Sequence, residues 1–133
     1  MYLDILYRPS YSLAVLRLNQ GEGIQAESGA MVSMSPTIKL KTEMKGGFFG
    51  ALKRSVLGGE SFFVSNYMAE GGPGEVTLAP ALPGDVMGLV LNNESYFVQS
   101  SSYLAGDINL QIDSKFGGAK AFFSGEGLFL LKV

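Results

Sequence analysis

The sequence predicts an all-β fold built by internal duplication, with at most one short helix. Three observations carry this expectation. Apolar side chains recur mostly at a period of two, the strand period. Turn-forming residues break the chain at short intervals among 18 glycines. The second half of the chain nearly repeats the first.

The strands can be justified in order. Residues 12–18 alternate Leu13, Val15 and Arg17 with Ala14, Leu16 and Leu18. Both faces are largely apolar, as expected for a strand lying between two layers. Residues 37–45 set Ile38, Leu40 and Met44 against Lys39, Lys41, Glu43 and Lys45, the pattern of a half-buried antiparallel strand with a charged outer face. Further strands are expected near residues 61–69, 74–79, 86–91, 95–99, 107–112, 120–123 and 128–133. Asn19-Gln20-Gly21, Gly71-Gly72-Pro73-Gly74, Pro83-Gly84-Asp85, Asn92-Asn93 and Gly117-Gly118 supply the turns between them. One stretch departs from this rhythm. Within residues 46–59, Phe49, Leu52, Val56 and Leu57 fall at helical spacing, with Lys53 and Arg54 in the later half and Gly58-Gly59 after them. A short helix is expected there, weakened by Gly50.

The duplication is visible residue by residue. Leu18-Asn19-Gln20-Gly21-Glu22-Gly23-Ile24-Gln25-Ala26-Glu27-Ser28 matches Leu91-Asn92-Asn93-Glu94-Ser95-Tyr96-Phe97-Val98-Gln99-Ser100 once one residue is dropped. Ile38-Lys39-Leu40-Lys41 matches Ile108-Asn109-Leu110-Gln111, and Gly59-Glu60-Ser61-Phe62-Phe63-Val64 matches Gly125-Glu126-Gly127-Leu128-Phe129-Leu130. The expectation is one all-β domain over residues 1–133, with repeat one at about 11–80 and an incomplete repeat two at about 84–133. The second copy stops at Val133 inside the strand equivalent to 61–69. Either the chain is a shortened relative of a longer pattern, or its last strand comes from a neighbouring subunit. An open sheet edge favours pairing with another chain.

Composition narrows function by exclusion. The chain has no Cys and no His. That removes thiolate chemistry, Cys-ligated metal centres, any Ser–His–Asp triad and the imidazoles of a cupin-type metal site. No catalytic residue, metal ligand or cofactor is assigned. The net charge of −2 and the pI near 5.0 argue against nucleic acid as a partner. Met1-Tyr2-Leu3-Asp4-Ile5 has no basic segment leading into an apolar one, and no run reaches the length of a spanning helix. The expected location is the cytoplasm.

Individual residues mostly have structural explanations. Gly71-Gly72-Pro73-Gly74 is followed by Glu75-Val76-Thr77, a strand with an acid where a phosphate loop needs a helix, so it reads as a turn. Glu60 and Glu126 occupy equivalent places in the two copies, and duplication explains both. Asp85 and Asp107 each follow a glycine and read as turn residues. Tyr96, Phe97, Tyr103, Phe62, Phe63, Phe122 and Phe123 read as core aromatics rather than a stacking platform. The remaining candidate is an interaction surface of Phe48, Phe49, Lys53 and Arg54. An exposed aromatic pair beside bases suits a protein partner or weak, salt-sensitive contact with an anionic membrane surface, each base contributing roughly 1 kcal/mol there.

Gly46-Gly47-Phe48-Phe49-Gly50-Ala51-Leu52-Lys53-Arg54, followed by Leu57-Gly58-Gly59-Glu60-Ser61-Phe62-Phe63, resembles the hallmark stretch of the AIM24 family. Glu27-Ser28-Gly29-Ala30-Met31-Val32 and Pro83-Gly84-Asp85-Val86 resemble it too, so the likeness covers nearly the whole chain. The resemblance implies a TRAP-like β-sandwich of the double-stranded β-helix type, with subunits often assembled as trimers. It also implies a non-enzymatic scaffold or interaction protein and brings no catalytic motif. The alternative is a TRAP-like module that binds a small ligand or RNA.

Overall fold

The computed structural model describes residues 1–43, 64–112 and 130–132. Ten strands are present among the described residues: β1 (Tyr2–Leu6), β2 (Leu13–Leu18), β3 (Gly23–Glu27), β4 (Met31–Met34), β5 (Ile38–Glu43), β6 (Val64–Ala69), β7 (Gly74–Leu78), β8 (Phe97–Gln99), β9 (Ala105–Asp107) and β10 (Leu130–Lys132). A single 3₁₀ turn, Ser100–Ser102, is the one helical element among the described residues. The protein is all-β with antiparallel sheets. The helix expected within residues 46–59 and the strand expected near 120–123 lie outside the described residues.

The chain forms two compact units. The first comprises Met1–Thr42, Ser65–Val90 and Leu104–Ile108. It holds one sheet in the order β1-β2-β7-β4 and most of a second in the order β5-β6-β3-β9. The register of β2 on β7 sets Ala14 opposite Leu78, Leu16 opposite Val76 and Leu18 opposite Gly74. These side chains therefore share a face, and they join Ile24, Ala26, Ile38, Tyr67 and Ala69 of the second sheet in one buried apolar cluster. Gly74 has a packing role. A β-carbon there would meet the side chains of Thr37 and Ile38, so its absence lets the start of β5 close over Leu18.

The opposite face of β2 behaves differently along its length. Val15 is buried and Arg17 is exposed. Thr77, opposite Val15, shares a hydrogen bond of 2.6 Å with Ser33 on β4. Of the two largely apolar faces of residues 12–18, that of Ala14, Leu16 and Leu18 packs into the core, and the other is buried at Val15 and exposed at Arg17.

The second unit comprises Glu43–Val64, Leu91–Tyr103 and Asn109–Val133. Within it β8 pairs antiparallel with β10, setting Phe97 against Lys132. Val64 and Tyr103 are buried together, with Val98, Leu110 and Ile112 packed against them.

Several expectations are corrected. Residues 86–91 form no strand: Val86 packs on the core, and no strand among the described residues bonds to residues 87–91. Of residues 107–112 only Asp107 is in a strand. The Ile108 amide instead donates to the Gly23 carbonyl at 3.2 Å, and the chain turns away. Leu40 is 44 % exposed although it shares a face with the buried Ile38, in keeping with the place of β5 at the edge of its sheet. Among the aromatics Tyr103 is buried, whereas Tyr96 and Phe97 are exposed.

The corner matched between the repeats agrees in backbone. With Gln20 as the extra residue, Gly21 aligns with Asn93, and these have φ of 89° and 56°. Both lie in the left-handed region that glycine and asparagine tolerate best.

Leu78 is fully buried and sits at the centre of the first unit's core. Leu78→Ala is expected to lower the free energy of unfolding by about 2–5 kcal/mol, the range for deleting a buried leucine side chain. Urea titration followed by tyrosine fluorescence or circular dichroism checks this.

Candidate interaction surface

Phe48, Phe49, Lys53 and Arg54, the surface that the sequence singles out, lie outside the described residues. Within the first unit the structure brings together a different set of side chains, drawn from the β1–β2 turn, from β1 itself and from residues 84–90.

The turn between β1 and β2 is built around Asp85. Arg8 donates from Nε and Nη2 to the two carboxylate oxygens, each at 2.9 Å, forming a bidentate pair. Ser12 Oγ donates to Oδ1 at 2.7 Å, and the Val86 amide donates to the same oxygen at 2.9 Å. The Ser12 amide bonds the Gly84 carbonyl at 3.1 Å, so main chain and side chain tie the two segments together. Tyr7, with φ of 60°, makes the sharp turn that carries Arg8 towards Asp85. The hydrogen bonds from Arg8 are the main reason the Asp85 carboxyl is held well below the usual carboxylate range, with Ser12 adding to it, and the Arg8 guanidinium is raised in return. Sequence separations of 77 and 73 residues hide this cluster. No local motif relates Arg8 or Ser12 to Asp85.

The clamp determines where the next residues go. Val86 turns inward onto the core cluster. Met87, Leu89 and Val90 then stand 70 %, 54 % and 82 % exposed. Between them Gly88 lies so close to the Leu3 side chain that a β-carbon would collide with it. The segment thus runs beside β1, whose Leu3 is itself 38 % exposed. No charged residue occurs from Val86 to Asn93. A contiguous apolar strip of this kind is characteristic of an interaction surface. Its sequence signal is the unbroken apolar run Val86-Met87-Gly88-Leu89-Val90-Leu91, which also fits a buried strand.

The charged residues nearby are already engaged. On the outer face of the first sheet, Tyr2, Arg17 and Glu75 form one cross-strand row. The Arg17 guanidinium stands 5.8 Å from the Tyr2 ring centre and bonds Glu75 at 3.4 Å. They border a shallow cavity of about 440 Å³, together with Met1, Asn19 and Ser35. Glu22 is bound by the Met1 ammonium at 2.8 Å and by the Asn19 amide at 2.9 Å, which hold its carboxyl at about 2, the ammonium contributing most. Among the described residues no group of three acids is close enough to hold a metal ion. No described helix is long and apolar enough to cross a membrane.

The depressed Asp85 carboxyl couples the clamp to pH. A carboxyl lowered in the folded state stabilises it fully above its unfolded value of 3.8, and that contribution fades as the pH falls towards the folded value. Asp85→Asn removes the charge at every pH. The variant is expected to melt below the parent at pH 7, and the gap between them is expected to begin narrowing as the pH falls below about 4. Thermal melts of both proteins in steps from pH 7 to pH 3 check this, and a gap independent of pH contradicts it.

Comparison with known proteins places this architecture. The family model described as mitochondrial biogenesis AIM24 matches residues 3–133. An uncharacterized protein of Streptococcus pyogenes serotype M6, M6_Spy0233, is 30 % identical over 129 residues, covering 91 % of this chain and 52 % of the relative. The crystal structure of SPYM3_0169 from Streptococcus pyogenes superposes with a TM-score of 0.75 at 28 % identity, covering 98 % of this chain and 59 % of that one. The chain thus spans about half the length of the curated relative it matches. With a family model spanning all but its first two residues, and the all-β architecture shared with a solved relative, the chain belongs to the AIM24 family.

Proposed function

We propose that this protein is a non-enzymatic scaffold of the cytoplasm that assembles with copies of itself and offers its surface to protein partners. The observation that carries the reading is the apolar strip of Leu3, Met87, Leu89 and Val90, held outward by a polar clamp. Exposed apolar side chains of this size lose free energy in water, and burial against another surface recovers it. The acids that could do chemistry nearby serve structure instead: Asp85 holds the turn, Glu75 pairs with Arg17, and Glu22 holds the Met1 ammonium. The resemblance to the family implies three subunits. A lipid-surface role for Phe48, Phe49, Lys53 and Arg54 is a secondary part of the same proposal.

The alternative is a small-ligand or RNA-binding module. Its best described site is the shallow cavity beside Tyr2, where the one guanidinium is shared with Glu75. Association with RNA that survives raised salt would favour it over the scaffold.

The solution mass tests the scaffold reading. Light scattering over a concentration series is expected to give a mass above the 14.2 kDa of a single chain, rising to a plateau. A mass of one chain at every concentration overturns self-assembly.

A further inference from the structure

We infer that Met87 is an oxidation switch: a peroxide converts its thioether to the sulfoxide, and the sulfoxide loosens the assembly that the apolar strip supports. This rests on the reading of the strip as the surface through which the chain assembles, and says how that surface is regulated.

Composition narrows the chemistry first. The chain has six Met but no Cys, Trp or His. Thiolates, the groups that a two-electron oxidant attacks most readily, are absent, and the thioethers take their place. Susceptibility then follows access to the sulfur, and the structure ranks the methionines by it. Met31 packs against the core cluster. Met68 lies on β6, between β5 and β3, and its sulfur fills the space that a β-carbon of Gly23 would take. Met34 and Met1 are 39 % and 47 % exposed, against 70 % for Met87. Met44 lies outside the described residues. Among the described methionines, Met87 is the one whose sulfur an oxidant in solution reaches most readily.

Its position gives the oxidation a consequence. Leu3, Leu89 and Val90 carry saturated hydrocarbon side chains that a peroxide leaves alone, so Met87 is the member of the strip whose polarity can change. Hydrogen peroxide suffices as the oxidant. The sulfur lone pair attacks one peroxide oxygen, and the S–O bond forms as the O–O bond breaks. The departing hydroxide takes the proton from the transferred oxygen and leaves as water. Sulfur is oxidised by two electrons and the peroxide is reduced by two.

The product sets a polar S–O group into the strip. No charged residue from Val86 to Asn93 is at hand to pair with it, and Arg8 in the clamp is committed to both oxygens of Asp85. Burial against a second apolar surface then leaves the new acceptor unpaired. That cost falls on association rather than on folding, because Met87 is exposed in the single chain. Linkage also works in the other direction. An assembly that covers the strip shields the sulfur, so oxidation proceeds through the dissociated chain and then holds it apart.

Peroxide mapping and solution mass test this together. In chain diluted below its assembly plateau and treated with hydrogen peroxide, peptide mass spectrometry is expected to find sulfoxide forming at Met87 at least about threefold faster than at Met31 or Met68. Raising the protein concentration is expected to slow that reaction. Light scattering of the oxidised chain is expected to show association weakened at least about tenfold, with an unchanged circular dichroism spectrum as the control for folding. Treatment with the two stereospecific methionine sulfoxide reductases is expected to restore the parent mass. Met87→Leu is expected to have the same mass before and after peroxide. Oxidation of Met87 no faster than of Met31 and Met68, or a fall in mass that persists in Met87→Leu, overturns the switch and leaves the scaffold reading standing. So does an assembled parent whose mass is unchanged once Met87 is fully oxidised. A parent that stays at one chain overturns both.

Discussion

The register of β2 on β7 is the constraint on which the rest of the first unit depends. It places Ala14, Leu16 and Leu18 on the same face as Val76 and Leu78, and so supplies one whole wall of the apolar core. A slip of one residue would turn Val15, Arg17, Glu75 and Thr77 inward and send the apolar set to solvent. The register is reinforced at the end where β2 finishes and β7 begins. Glu75 pairs with Arg17 on the outer face, while Gly74 leaves room for Thr37 and Ile38 opposite Leu18. With β2 and β7 placed, β1 and β4 have one strand each to bond to, and the sheet has two edges of very different character.

Polar side chains in this unit do architectural tasks. Asp85 gathers Arg8, Ser12 and the Val86 amide, and so converts a Pro-Gly-Asp turn into a fixed departure point for the next segment. Ser33 and Thr77 join β4 to β7 through their hydroxyls beside the bulge. Ser35 receives the Glu75 amide at 2.8 Å just beyond the end of β4. Functional weight therefore falls on what these contacts hold outward, the apolar residues beside β1.

The fold class is legible because period-two patterning and turn residues recur along the chain. Residues 12–18, 37–45 and 74–79 show this, and each contains an observed strand. β3 is not legible. Gly23-Ile24-Gln25-Ala26 is buried on both faces, and Gln25 is completely buried through a bond to the Asp107 carbonyl, so alternation is lost. β1 escapes detection because its alternation, Tyr2-Leu3-Asp4-Ile5-Leu6, contains one charge and reads as generic apolar chain. Residues 86–91 mislead in the other direction. An apolar run resembles a buried strand unless one knows that the Asp85 clamp has already turned it away from a partner. The candidate surface is the least legible, since its parts are brought together by pairings across some 70 to 80 residues that leave no local trace.

The two corners that the sequence match aligns, Gly21 and Asn93, share a backbone feature that their side chains do not reveal. Few side chains agree between the matched stretches, yet both bend through the left-handed region at the aligned residue, once with a residue that has no side chain and once with one that tolerates the bend through a short amide. The corners are interchangeable parts in a steric sense. At this corner the likeness lies in the handedness of the backbone rather than in the identity of the residue.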